Sequence, residues 1–115
     1  MKILIAIRDT VTSAEVNNNK PLNFTLEQNF PNPFNSITNI GFRIPPAGGQ
    51  VANSRFVSLK VYDVLGREVA TLLNEEKPEG YHTIKFDASV LPSGIYFYKL
   101  KIGNIIKSKK MLLLR

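Results

Sequence analysis

Short apolar segments separated by glycine and proline recur about every ten residues beyond Pro21, and this spacing constrains the fold more than any other feature. Such spacing is typical of an all-β sandwich, and no long stretch shows the periodicity of an amphipathic helix. The sequence therefore predicts an all-β, antiparallel sandwich of about seven strands. We expect them at residues 24–28, 37–44, 56–64, 67–73, 82–86, 95–102 and 105–114.

The predicted strands alternate between apolar and polar residues. Within residues 56–64, the apolar side chains of Val57, Leu59 and Val61 alternate with polar ones, and residues 95–102 repeat the pattern. Successive side chains of a strand point to opposite faces of the sheet. The apolar face of each strand is therefore predicted to be buried and the polar face to be exposed to solvent.

Two of the predicted turns contain a glycine where a positive φ is expected. Gly66 lies between Asp63 and Arg67, and Gly103 precedes Asn104 between the last two strands. Glycine adopts a positive φ without steric cost, so both sites are predicted to be β-hairpins.

The domain is predicted to begin near Pro21. Residues 11–20 are small and polar, which is the composition of a linker. We therefore divide the chain into an N-terminal segment and linker at residues 1–21 and a folded domain at residues 22–115, with its longest loop at residues 45–55. The chain has no cysteine, which excludes disulfides and thiol chemistry.

The positive charge is concentrated near the C-terminus. The net charge is +6, and from Tyr81 onward seven basic residues accompany a single acid. Lys107, Lys109 and Lys110 precede four apolar residues in a row. One explanation is a last core strand whose lysines protect a sheet edge from aggregation. The charge itself would attract an anionic surface.

Catalysis, metal binding and nucleic-acid binding find little support in the sequence. His82 is interpreted as an ordinary strand residue, since no partner for acid-base chemistry is evident. The acidic residues around the Lys77-Pro78 turn are interpreted as part of a solvated loop rather than as a metal cluster. They are Glu75, Glu76 and Glu79. Aromatic residues at strand spacing are more often core than a platform for bases. We expect no enzyme activity, no cofactor and no nucleic-acid partner.

The sequence also argues against a membrane span. No apolar run approaches the roughly 20 residues that a transmembrane helix needs. The opening MKILIAIRDT contains a short apolar run that Arg8 and Asp9 interrupt, so we expect no secretory leader within these residues.

Four stretches together resemble a known family. They are FTLEQNFPNPFNSITNIGF, SLKVYDVLGREVATLLNEEKPEGYHTIKFDAS, LPSGIYFYKLKIG and KKMLLLR. In this order they resemble the C-terminal sorting domain of type IX secretion substrates. The resemblance implies an immunoglobulin-like sandwich attached to a larger N-terminal cargo. It further implies passage through the periplasm, recognition by an outer-membrane translocon, and removal by a sortase-like protease at the cell surface, with the cargo anchored or released.

The resemblance also implies which residues carry the sorting signal. Tyr62, Asp63, Gly66 and Arg67 match a hairpin motif of the family whose role we take to be structural. The signal residues fall in a Pro-x-Gly-x-Tyr turn, a late glycine followed by lysines, and an apolar end with a terminal cation. They are Pro92, Gly94, Tyr96, Gly103, Lys107, Lys109, Lys110, Met111, Leu112, Leu113, Leu114 and Arg115.

Two alternatives remain open at this point. The first is a stand-alone immunoglobulin-like module that binds, for example, a surface polysaccharide, because a fold does not determine a function. An exposed aromatic strip would favour this module, whereas buried aromatic residues beside an open basic edge would favour sorting. The second is a weak homodimer formed through an open edge strand.

Overall fold

The computed structural model describes residues 24–46 and 54–115, and these residues form strands and turns without a helix. The predicted linker at residues 11–20, the domain boundary, and residues 47–53 of the long loop lie outside the described residues. The strands are β1 (Thr25–Leu26), β2 (Ile37–Ile44), β3 (Ser54–Tyr62), β4 (Glu68–Pro78), β5 (Gly80–Asp87), β6 (Gly94–Ile102) and β7 (Ile105–Leu113).

The seven strands form two antiparallel sheets packed as a sandwich, which confirms the predicted fold class. The three-stranded sheet has the order β1-β2-β5, and the four-stranded sheet has the order β4-β3-β6-β7. Compared with a constant-type immunoglobulin domain, the fourth strand lies beside the third strand instead of the fifth. The last strand, β7, is at the end of the four-stranded order and is therefore an edge strand.

The core lies between the inner faces of the two sheets. In β3, the side chains of Val57, Leu59 and Val61 are fully buried, and in β6 every second residue from Tyr96 to Ile102 is buried. Both observations confirm the alternation predicted from the sequence. Large side chains from β2 complete the apolar layer, as Phe42 and Ile40 are also inaccessible to solvent.

Every strand except β2 differs from its predicted bounds by one or more residues, and the differences at β1 and β4 bear on the predicted loops. β1 ends at Leu26, because the backbone N–H of Asn29 bonds to the Tyr98 hydroxyl of the opposite sheet and interrupts the ladder with β2. Pairing with β2 returns only as a single bridge between Phe30 and Asn39. β4 extends to Pro78, so Glu75 and Glu76 belong to an edge strand and the predicted acidic loop is wrong. Pro78 is the last residue of an edge strand, and edges are where sheets tolerate proline.

The hairpin between β3 and β4 is held by Asp63. Its Oδ1 accepts hydrogen bonds from the backbone N–H groups of Leu65 and Arg67, both at 2.9 Å. Its Oδ2 lies 2.8 Å from Nε of Arg67. The bond from the Arg67 backbone is the main reason why the pKa of Asp63 lies below its usual value. Gly66 has a φ of +84°, which confirms the predicted glycine turn.

Candidate functional site: the edge strand β7

Strand β7 contains the lysines and most of the apolar residues of the predicted signal. It pairs with β6 along its whole length, and the Gly103-Asn104 turn joins the two strands. A φ of +60° at Gly103 and the two-residue loop are typical of a type II′ hairpin. One side of β7 is therefore bonded to β6, and the other side is the edge of the sheet.

The three lysines of β7 divide between its two faces. Lys107 and Lys109 share the inner face with their partners Leu100 and Tyr98, but they lie at the rim of the sandwich and are half-buried. They line an open depression of about 400 Å³ together with residues 24–26. Within the described parts of the chain, none of the three lysines forms an ion pair. They give the rim an uncompensated positive charge.

Lys110 lies on the opposite face of β7. Its side chain is exposed, and its cross-strand partner is Phe97 on the outer face of the sheet. A ligand that follows the edge would therefore meet cations on both sides of the strand.

Alternate backbone groups of β7 point away from β6. In a two-residue hairpin the residues flanking the turn bond to each other, so every second residue from Ile106 onward directs its N–H and C=O outward. Among the described residues, no hydrogen bond reaches the outward groups of Ile106 and Ser108. The first half of β7 is thus an open edge to which another strand could be added.

The second half of β7 is closed by residues 28–34. The Phe34 N–H donates to the Leu112 carbonyl at 3.0 Å, and the Leu114 N–H donates to the Phe34 carbonyl at 2.9 Å. Asn32 Oδ1 accepts the Leu112 N–H at 3.0 Å, and Gln28 Nε2 donates to the Lys110 carbonyl at 2.7 Å. This segment acts as a short parallel partner of β7.

The closing segment is itself anchored in the core. The Phe34 ring is buried and lies 6.2 Å from the Phe86 ring, measured between centroids. The buried Asn29 side chain donates to the Pro31 carbonyl and to Thr38 Oγ1, both at 3.0 Å. Both prolyl bonds of this segment, before Pro31 and before Pro33, are cis.

Tyr98 links the closing segment to the four-stranded sheet. Its hydroxyl donates to the Glu27 carbonyl at 2.6 Å and accepts the Asn29 N–H at 2.8 Å. Burial raises the pKa of Tyr98 to about 12, although the bond from Asn29 acts in the opposite direction. The neutral hydroxyl is therefore the form that holds the two sheets together.

The predicted Pro-x-Gly-x-Tyr turn precedes β6. The hydroxyl of Tyr96 donates to the Pro92 carbonyl at 2.6 Å, and the ring is buried as predicted. Gly94 has a φ of +152°, but a Cβ there would meet no atom within 4 Å. The space around Gly94 would admit a Cβ, so the backbone conformation is the reason for glycine.

Arg115 is bound to the same turn region. Its guanidinium donates to the carbonyl oxygens of Ala88, Ser89 and Leu91, and its backbone N–H donates to Ser93 Oγ at 3.0 Å. The charge of Arg115 is held against the domain, in contrast to the three lysines.

The apolar end of the signal is divided by strand alternation. Met111 and Leu113 are buried in the core, Leu112 is half-buried, and Leu114 is 51% exposed. The structure thus joins most predicted signal residues into one region around β7 and the turn before β6. Sequence analysis missed the contact of Gln28 with β7, because the strand predicted at residues 24–28 ended at this residue and no local pattern indicated a partner near the C-terminus.

The acidic residues and His82 are the remaining groups that the sequence singled out. The described residues contain no group of histidine and acidic side chains that could hold a metal ion. His82 Nε2 lies 2.8 Å from the Pro78 carbonyl, and its ring lies 5.3 Å from the ring of Phe42. Among these residues, no helix is long and apolar enough to cross a membrane.

Comparison with protein families identifies the region just described. The family model for the secretion system C-terminal sorting domain matches residues 28–114. The chain belongs to this family. The matched region of this sorting domain begins with the segment that closes β7 and ends beside Arg115. None of the curated proteins searched matches the chain.

Family membership establishes the general role of the chain. It is a type IX secretion C-terminal sorting domain, which directs the export of an attached cargo and is not catalytic. Such domains are recognised by the type IX machinery, and their cargo is secreted or attached to the cell surface.

Proposed function

We propose that the type IX machinery recognises this sorting domain at the open half of β7. Support comes from one observation above all: the outward backbone groups of Ile106 and Ser108 have no partner within residues 24–46 and 54–115, although they lie in an ordered strand. An extended segment of the receptor pairs with this edge by β-augmentation.

The lysines provide the electrostatic part of recognition. Lys107 and Lys109 flank the open edge on the inner rim, and Lys110 flanks it on the outer face. Because they lack acidic partners in the described residues, they steer an acidic receptor segment toward the edge and accelerate its association.

The closed half of β7 sets the position of the receptor strand. Backbone groups from Lys110 onward are already bonded to residues 28–34, so a receptor strand can pair only nearer the hairpin turn. The buried side chains of Met111 and Leu113 anchor β7 in the core. The turn formed by Pro92, Gly94 and Tyr96 holds the first residues of β6 beside them.

The remaining steps concern the route of the cargo. We propose that the cargo and its sorting domain meet the translocon from the periplasm, and that a surface sortase-like protease then cuts within residues 11–20. The small, polar composition of this segment supports an extended, accessible substrate. The weak homodimer stays a separate prediction, and two β7 edges would bring lysines of equal charge together.

A secretion assay with matched charge reversals tests the proposed edge. Residues 22–115 are fused to a periplasmic reporter in a strain with an active type IX system. One variant combines Lys107→Glu, Lys109→Glu and Lys110→Glu. The control combines Lys85→Glu, Lys99→Glu and Lys101→Glu, which changes the net charge equally at exposed positions outside β7. Lys85 lies in the other sheet, and Lys99 and Lys101 lie on β6, one strand in from the edge.

We expect the edge variant to retain the reporter in the periplasm and the control to export it. Equal export of both variants, or equal retention of both, would show that the edge lysines have no specific role. A thermal melt of each purified domain establishes that both variants are folded.

A further inference from the structure

The outer face of the four-stranded sheet carries aromatic and basic side chains together. Cross-strand partners share a face, and Phe97 is the partner of both Tyr62 and Lys110. The neighbouring residues continue the pattern across three strands. They are Phe56, Ser58 and Lys60 in β3, Lys99 and Lys101 in β6, and Ile106 and Ser108 in β7.

The lysines of this face are only partly compensated by acidic side chains. Lys60 and Lys99 are direct cross-strand partners, an arrangement of like charges that destabilises a sheet. Glu68 lies 3.5 Å from Lys60, whereas the Lys99 ammonium lies 4.8 Å from the centroid of the Tyr62 ring. In the described ranges no carboxylate pairs with Lys99 or Lys101. An anionic ligand would relieve this repulsion.

Two open depressions on the face combine these residue types. The first, of about 330 Å³, is lined by Tyr62, Phe97 and Lys99 among others. The second, of about 380 Å³, is lined by Phe56, Lys60 and Lys101 among others. The exposed fractions of Phe56 and Phe97 are 56% and 37%, so both rings are accessible to a ligand.

We propose that this face binds an anionic polysaccharide. The C–H groups on one side of a sugar ring pack against the aromatic rings, and the carboxylates of the sugar pair with the lysine ammonium groups. The two open depressions lie at opposite ends of β3 and β6, so they accommodate a chain that runs along the strands, whereas a small ligand would remain mostly in solvent. The cargo of such domains is secreted or surface-attached, so the face meets extracellular polymers.

Other occupants fit the face less well. A second copy of the same face would bring equal charges together. A bilayer needs protruding apolar groups, but Tyr62 and Phe97 line a depression. Nucleic acid is commonly bound through arginine, and the basic residues of this face are all lysine.

Isothermal titration calorimetry with the 115-residue chain tests the proposal, with polygalacturonate as the anionic probe and dextran as the neutral one. The combined change Lys99→Gln and Lys101→Gln is compared with Lys107→Gln and Lys109→Gln, which removes the same charge from the edge. We expect the first pair to weaken polygalacturonate binding about tenfold and the second pair less than about threefold.

A third variant, Phe97→Ser, keeps the charge and should also weaken binding about fivefold, because it removes the aromatic surface. Melting curves show whether each variant is folded. If Phe97→Ser does not fold, the comparison of the two lysine double variants still tests the proposal. Equal losses in the two lysine pairs, or no preference for polygalacturonate over dextran, would overturn the proposal. Tighter binding to oligo(dT) or to phosphatidylserine vesicles would overturn it as well. No outcome depends on secretion, so a failure here leaves the proposed edge recognition untouched.

Discussion

The change Tyr98→Phe tests the link between the two sheets. It keeps the buried ring but removes the hydroxyl that bonds to the Glu27 carbonyl and to the Asn29 N–H. Asn29 is only 2% exposed, so its N–H would lose its partner without gaining water. A buried donor left without an acceptor costs roughly 1–3 kcal/mol, and we expect the free energy of unfolding to fall by about 2 kcal/mol. The melting temperature should fall by about 10 °C.

Urea denaturation followed by circular dichroism measures this loss, with Tyr81→Phe as the control. The Tyr81 hydroxyl also bonds to Glu27, but at the side-chain Oε1 and on the surface, so its removal should change stability little. Alkaline pH gives a second readout. Burial raises the pKa of Tyr98 to about 12, so its stabilising effect is complete below about pH 10 and is lost as the pH rises toward 12. Equal stability of the two variants, or an unchanged alkaline slope in Tyr98→Phe, would refute the reasoning.

Three further predictions concern the turns. Tyr96→Ala should cost about 3 kcal/mol in urea denaturation, because the ring is buried and its removal leaves a cavity; no measurable loss would contradict this packing. Gly94→Val should cost roughly 1–3 kcal/mol through backbone strain alone, and a stability equal to the native chain would disprove that strain. Asp63→Asn should flatten the acid limb of the stability curve below about pH 4, since the lowered pKa of Asp63 makes its ionised form stabilising above that range; an unchanged limb would argue against it.

The strands could be predicted because their alternation reflects burial on one face. The bounds of β2 were predicted to the residue, and those of β6 to within one residue. β4 was predicted too short because its last residues lie on a sheet edge, where their mostly exposed side chains do not alternate between apolar and polar. Backbone pairing of this kind leaves little trace in the composition of a segment.

The candidate site could be predicted only in part. The lysines and apolar residues of β7 are contiguous in the sequence, so a basic edge strand was evident before the structure. The contacts of Gln28, Asn32 and Phe34 with β7 span about eighty residues, and no local pattern indicates such a pairing. The role of Arg115 could not be predicted either, because its acceptors are backbone carbonyls within residues 88–91. Every residue has a backbone carbonyl, so the sequence does not indicate which ones Arg115 binds.

The pairing of Phe34 with the end of β7 affects the moment at which the sorting signal can form. β7 is the last of the seven strands to leave the ribosome, and its partner at residues 28–34 is made before all but one of the others. A chain whose synthesis stops early therefore lacks the strand that binds residues 28–34. Under the proposed recognition at β7, export competence begins only when translation has passed this strand, so a chain truncated before Ile105 would not be exported.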